Sequence, residues 1–108
     1  MFITHQFYDN SMSGANSYVQ AFNSLQEAKD EMYDTIRSCL SRCEPGTMDK
    51  FIELLKGAES EDNTIEETVD TFTIAFTSTQ YEIRDNYDED RYFFAILDTD
   101  NDERYSQF

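Results

Sequence analysis

The apolar positions of this chain change period along its length, and the changes predict its elements. Phe2–Tyr8 is rich in aromatic and β-branched residues and predicts a strand. The run DNSMSGANS that follows has the Asn, Ser and Gly of a turn, and Tyr18–Phe22 predicts a returning strand. From Ser24 the period becomes helical. Leu25, Ala28, Met32, Ile36, Cys39, Leu40 and Cys43 recur at three and four residues, and Ser24 with Glu27 forms a capping box at their start. Glu44-Pro45-Gly46 ends that helix. Thr47 begins a shorter one, with Met48, Phe51, Ile52 and Leu55 on one stripe and Gly57 as C-terminal cap.

Asn63, with Glu66 three residues on, predicts one more helical turn through Val69, a strand being the alternative. From Thr71 the period is two: Phe72, Ile74 and Phe76 alternate with Thr71, Thr73, Ala75 and Thr77, as in a strand with one buried face. Gln80–Asp85 and Arg91–Leu97 predict a hairpin joined by the acidic loop DNYDED. The second of these runs is nearly continuously apolar, which suits a strand that is central or covered on both faces. The order ββααβββ predicts one α+β domain over residues 1–108, an antiparallel sheet of about four to five strands with two helices packed on one face. Phe72, Ile74, Phe76, Phe93 and Ala95 are expected to line its buried side against Leu25, Met32, Ile36, Phe51 and Leu55.

Charge changes this picture from a fold to a function. The chain of 108 residues holds 23 acids against 8 Lys and Arg, a formal charge of −15. The charge is regional: residues 1–56 hold eight acids and five bases, net −3, and residues 57–108 hold fifteen acids and three bases, net −12. Nine Phe and seven Tyr in periodic segments argue for a folded core and against a disordered acidic tail. The N-terminal MFITHQFYD has no basic segment before an apolar run, and no stretch approaches the roughly 18 apolar residues of a membrane span. A soluble, unprocessed protein of the cytoplasm is expected. Anionic lipid and bare nucleic acid would repel such a chain, so a basic protein is the expected partner, with no direct nucleic-acid or membrane binding.

The acids fall into clusters. Glu27, Asp30, Glu31 and Asp34 share one stripe of the first helix, where mutual repulsion costs of order 1 kcal/mol in total. This stripe reads either as a solvated face or as part of a contact surface. Glu59, Glu61, Asp62, Glu66, Glu67 and Asp70 form a second group, Asp85, Asp88, Glu89 and Asp90 a third, and Asp98, Asp100, Asp102 and Glu103 a fourth. If the last segment is extended, Asp98, Asp100 and Asp102 point to one side about 6.6 Å apart, a charge density comparable with a nucleic-acid backbone. Tyr87, Tyr92 and Tyr105 are expected to supply anchoring contacts.

Other chemistry is poorly served. Asp98-Thr99-Asp100-Asn101-Asp102 imitates the opening of a calcium loop, but Glu103 stands where that loop requires Gly, and Phe108 precedes the closing Glu. Cys39, Cys43 and His5 are too few for a structural zinc site, and the two thiols read as small apolar core residues of a reducing compartment. His5 has no nucleophile motif around it, and Gly14, Gly46 and Gly57 form no phosphate loop, so neither an enzyme nor a cofactor is expected.

In size, charge, absent catalytic motif and compact α+β pattern, the whole chain resembles the small acidic proteins that phages and mobile elements direct against host defence. These include anti-CRISPR inhibitors, anti-restriction DNA mimics and inhibitors of uracil-DNA glycosylase. The resemblance implies stoichiometric inhibition of a nucleic-acid-binding host enzyme, such as a Cas or restriction nuclease in the bacterial cytoplasm, through the acidic surface. The alternative is an adaptor that binds an ordinary protein through an apolar patch, its charge serving solubility.

Overall fold

In the computed structural model, which describes residues 1–10, 14–39 and 45–100, the elements run β1 (Phe2–Asn10), β2 (Gly14–Phe22), α1 (Leu25–Cys39), α2 (Pro45–Gly57), β3 (Ile65–Val69), β4 (Phe72–Phe76), β5 (Gln80–Asp85) and β6 (Arg91–Asp98). All six strands form one antiparallel sheet in the order β2-β1-β6-β5-β4-β3. The α+β class and the helix pair stand as expected, and the order is ββααββββ, one strand longer. Residues 65–69 are the added strand, not a helical turn. Pairing with β4, which sets Ile65 opposite Phe76 and Val69 opposite Phe72, outweighs the weak capping signal of Asn63 and Glu66.

The start of α1 follows the sequence closely. Ser24 Oγ accepts the Glu27 backbone N–H at 3.1 Å, which satisfies one otherwise orphaned donor, and the Ser24 carbonyl accepts that of Ala28 at 3.2 Å as the first regular helical bond. Helix α2 begins at Pro45, ahead of Thr47, since proline suits the first turn where its missing N–H costs nothing. Gly57 is the last residue of α2 and has no positive φ, so it does not act as a left-handed cap. The positive φ of 92° belongs to Gly14, which closes the β1–β2 hairpin opposite Asn10. Leu40, Cys43, Asp102, Glu103 and Tyr105, named above from the sequence, lie outside the described residues.

Directly opposed residues of an antiparallel pair share a face, so the register assigns each side chain. On one face Ile74, Phe76, Tyr81, Ile83, Tyr92, Phe94 and Ile96 meet Ala28, Met32 and Ile36 of α1 and Phe51, Ile52 and Leu55 of α2 in a single buried cluster. Phe72 packs at its border. Phe93 and Ala95 do not belong to this face, contrary to the expectation above. Phe93 is opposite Glu82 and Phe7, and Ala95 is opposite Gln80 and His5, on the side the helices leave open. Strand β6 is interior to the sheet, as expected, and helices cover one of its two apolar faces.

Candidate interaction surface

The open face is built from alternate residues of strands distant in sequence. Three cross-strand rows carry its apolar part: Ala21–Ile3–Leu97, Val19–His5–Ala95 and Ser17–Phe7–Phe93. Ile3, Phe7, Phe93 and Leu97 are partly exposed, and Val19 is 65% exposed. An antiparallel sheet with one solvated face ordinarily shows polar residues there, so an apolar area on three adjacent strands is a candidate contact surface. His5 belongs to this surface. Its Nε2 lies 2.8 Å from Ser17 Oγ, and its ring meets Phe93 edge-on at 6.1 Å.

Beyond the Phe7–Phe93 row the face becomes charged. Asp9, Arg91 and Arg84 follow one another across β1, β6 and β5, and they line a cleft of about 710 Å³ with Asp85, Asn86, Glu89 and Asp90. The two arginines are like charges directly opposed on neighbouring strands, an arrangement that destabilises a sheet unless nearby carboxylates offset it.

The loop of residues 86–90 above this cleft is ordered by its own backbone. Asp85 is only 8% exposed, and its Oδ1 accepts the N–H groups of Tyr87 at 2.9 Å and Asp88 at 3.2 Å. The Asp85 carbonyl accepts Glu89 N–H at 2.8 Å, with Glu89 at φ 61°. Asn86 ties the loop to the β3–β4 turn through Thr71 O and Thr73 Oγ1. Asp85 is therefore a structural carboxylate, whereas Asp88, Glu89 and the 82% exposed Tyr87 are displayed outward. Carboxylate oxygens of Asp85, Asp88 and Asp90 lie within 4.8 Å of one another, the spacing of a cation site, and the turn itself accounts for that closeness. Tyr92 is 8% exposed and stacks on Tyr8 at 5.0 Å, so it serves the helix-covered face and offers no anchor.

The remaining sequence-named acids divide between places. Glu27, Asp30 and Asp34 are exposed on α1 and Glu31 is partly so; Asp30 accepts from Gln26 at 2.9 Å and Asp34 pairs with Arg37 at 3.3 Å. Glu66 and Glu67 are exposed on opposite faces of the edge strand β3. Asp98 and Asp100 do not form an extended row, because the chain turns: Asp98 Oδ1 accepts Asp100 N–H at 3.0 Å, and Thr99 N–H reaches the Met1 carbonyl at 3.1 Å. The group at 85–90 and the group at 98–100 sit at opposite ends of β6, about 25 Å apart.

Sequence reasoning did not find the open face. Its only trace was the continuous apolar run of Arg91–Leu97, whose second face needed a cover. Comparison with family models, with curated proteins and with solved structures returns no match to this chain.

Proposed function

We propose that this protein is a non-catalytic inhibitor that docks through the open sheet face and its acidic rim onto a basic, nucleic-acid-binding protein and blocks that protein's nucleic-acid-binding site. One observation carries the reading: the Phe7–Phe93 row and its neighbours form an apolar band with carboxylates beyond both strand ends, Arg84 and Arg91 standing beside Asp9 at one of them. Asp9, Asp88, Glu89 and Asp90 stand at one end and Asp98 and Asp100 at the other. An apolar centre supplies affinity and a charged rim supplies approach rate and choice of partner. A net charge of −15 suits a partner groove lined with Lys and Arg for DNA or RNA. A Cas or restriction nuclease fits that chemistry, as the resemblance to anti-defence inhibitors implies.

The apolar band equally supports the adaptor, in which the partner is an ordinary protein and the acids serve solubility. Pull-down from a bacterial lysate identifies the partner, and two sets of substitutions then separate the readings. For the inhibitor, Phe7→Ser with Phe93→Ser abolishes binding. Changing Asp88, Glu89 and Asp90 to Lys, or Asp98, Asp100 and Asp102 to Lys, slows association and removes much of its salt dependence. Binding that ignores salt and both charge variants, while still requiring Phe7 and Phe93, establishes the adaptor. Binding indifferent to Phe7 and Phe93 overturns the open face as the contact surface.

A further inference from the structure

The sheet has two edges of very different character. Strand β3 is five residues long and carries Glu66 and Glu67, the charged, short form in which natural edges avoid pairing. Strand β2 is nine residues long, pairs with β1 without interruption from Phe22 to Gly14, and is exposed along eight of those residues. It contains no Pro, Lys, Asp, Glu or Arg. Indeed the chain has no charged residue from Asn10 to Gln26, although 29% of its residues are charged. The outward N–H and C=O groups of β2 are thus presented on a long, regular, uncharged edge, the form that accepts another strand.

The order of residues along β2 specifies the strand it fits. Ala15-Asn16-Ser17-Tyr18-Val19-Gln20-Ala21 is close to a chemical palindrome about Tyr18. When a second β2 is laid antiparallel with Tyr18 on a twofold axis, Ala15 opposes Ala21, Asn16 opposes Gln20 and Ser17 opposes Val19. Amide meets amide on one face and small residue meets small residue on the other. Tyr18, 58% exposed, meets its own copy. Such a contact is isologous and closes on itself. Electrostatics favours the same geometry. Each copy carries −15, most of it on residues 57–108, and β3 with Glu66 and Glu67 lies about 24 Å from β2 across the sheet. Joining two copies at β2 keeps their most acidic regions farthest apart.

We infer that the protein forms a twofold dimer by antiparallel β2–β2 pairing centred on Tyr18, so that the two sheets become one and the two open apolar faces lie side by side. The inference is independent of which partner those faces bind. Glu31 of α1 lines the groove beside Gln6, Tyr18 and Gln20 on the helix-covered side, and its copy across the axis repels it. Self-association therefore strengthens with added salt, whereas capture of a basic partner weakens.

Sedimentation velocity across a wide concentration range should show twice the 12.7 kDa chain mass, with a tighter dimer at high salt. Val19→Lys should return the protein to monomer with an unchanged circular dichroism spectrum, although it lowers the net negative charge of each copy. Ile65→Lys, the same change on the β3 edge, should leave the dimer intact. With Cys39 and Cys43 replaced by Ser, Tyr18→Cys should form a disulfide-linked dimer on mild oxidation, and Gln20→Cys, displaced from the axis, should not. A wild-type monomer at every concentration and salt, including one that gains a strand only from a different protein, overturns the inference. So does a dimer that survives Val19→Lys in folded protein, or equal cross-linking at the two cysteine positions.

Discussion

The Tyr81 hydroxyl donates to Thr35 Oγ1 at 2.6 Å in the buried seam between β5 and α1. The direction follows from Thr35, which gives its single hydroxyl hydrogen to the Met32 carbonyl at 2.8 Å and can only accept from Tyr81. Both residues are buried, and the Tyr81 ring stacks on Phe94 at 5.8 Å. This bond fixes where α1 sits along the sheet. Tyr81→Phe should cost about 1–2 kcal/mol, with a smaller further loss when Thr35→Val is added to it. Urea unfolding of the two single variants and the double variant measures the coupling.

Adjacent residues of β6 should behave differently. Phe94→Ala empties the core and should cost about 3–5 kcal/mol, enough to leave a domain of ordinary stability partly unfolded. Phe93→Ala, on the open face, should cost distinctly less while removing partner binding. Thermal melts together with a binding assay test this separation, and equal destabilisation by the two variants contradicts the assigned faces.

Asp70 holds two roles in one turn. Its backbone is left-handed at φ 53°, and its carboxylate accepts the Thr47 hydroxyl at 2.9 Å, tying the first turn of α2 to the β3–β4 turn. Asp70→Ala loses the bond and retains the strain, whereas Asp70→Gly loses only the bond. Glycine should therefore be the milder change by about 1 kcal/mol, as read from urea midpoints.

Burial pushes the Tyr33 hydroxyl above the ordinary tyrosine value, and the Asp30 carboxylate adds to the shift. The Lys56 ammonium lies 5.2 Å from the centroid of the same ring, joining α2 to α1. Because the folded pKa exceeds the unfolded one, the unfolded chain releases this proton first. The contribution to stability is complete below about pH 10 and is lost as pH rises through the folded value. Urea midpoints measured up the alkaline range should fall, and Tyr33→Phe should flatten part of that fall.

The helices and most strands were legible because each has a periodic buried face: Ala28, Met32 and Ile36 at helical spacing, and Ile74 and Phe76 at strand spacing. Strand β3 was not, since Ile65-Glu66-Glu67-Thr68-Val69 is short, lies at an edge and buries too little to show a period. The faces of β6 were also illegible. Apolar residues occupy both parities there, and only pairing with Tyr81 and Ile83 selects Phe94 and Tyr92 for the core. The acidic clusters were visible as a sum of charge, but their separation to opposite ends of the sheet follows from strand direction. The open face was hidden because it joins residues 3–7, 19–21 and 93–97 through tertiary pairing alone.

The pairing of β1 with β6, which brings Phe2 beside Asp98, also governs how the molecule is made. The β1–β2 hairpin leaves the ribosome before the other strands of the sheet, yet its other neighbour, β6, is the last of those strands to follow. Until Arg91–Asp98 is available, Phe7 and Ile3 have no cross-strand partner on that side, and the two helices lack Phe94 and Ile96 beneath them. Closing so long a loop is entropically slow, so folding should be late, concerted and sensitive to premature chain termination. A nascent chain halted before β6 would expose two unpaired strand edges at once, one on each side of its first hairpin, and would be a ready substrate for chaperones and proteases.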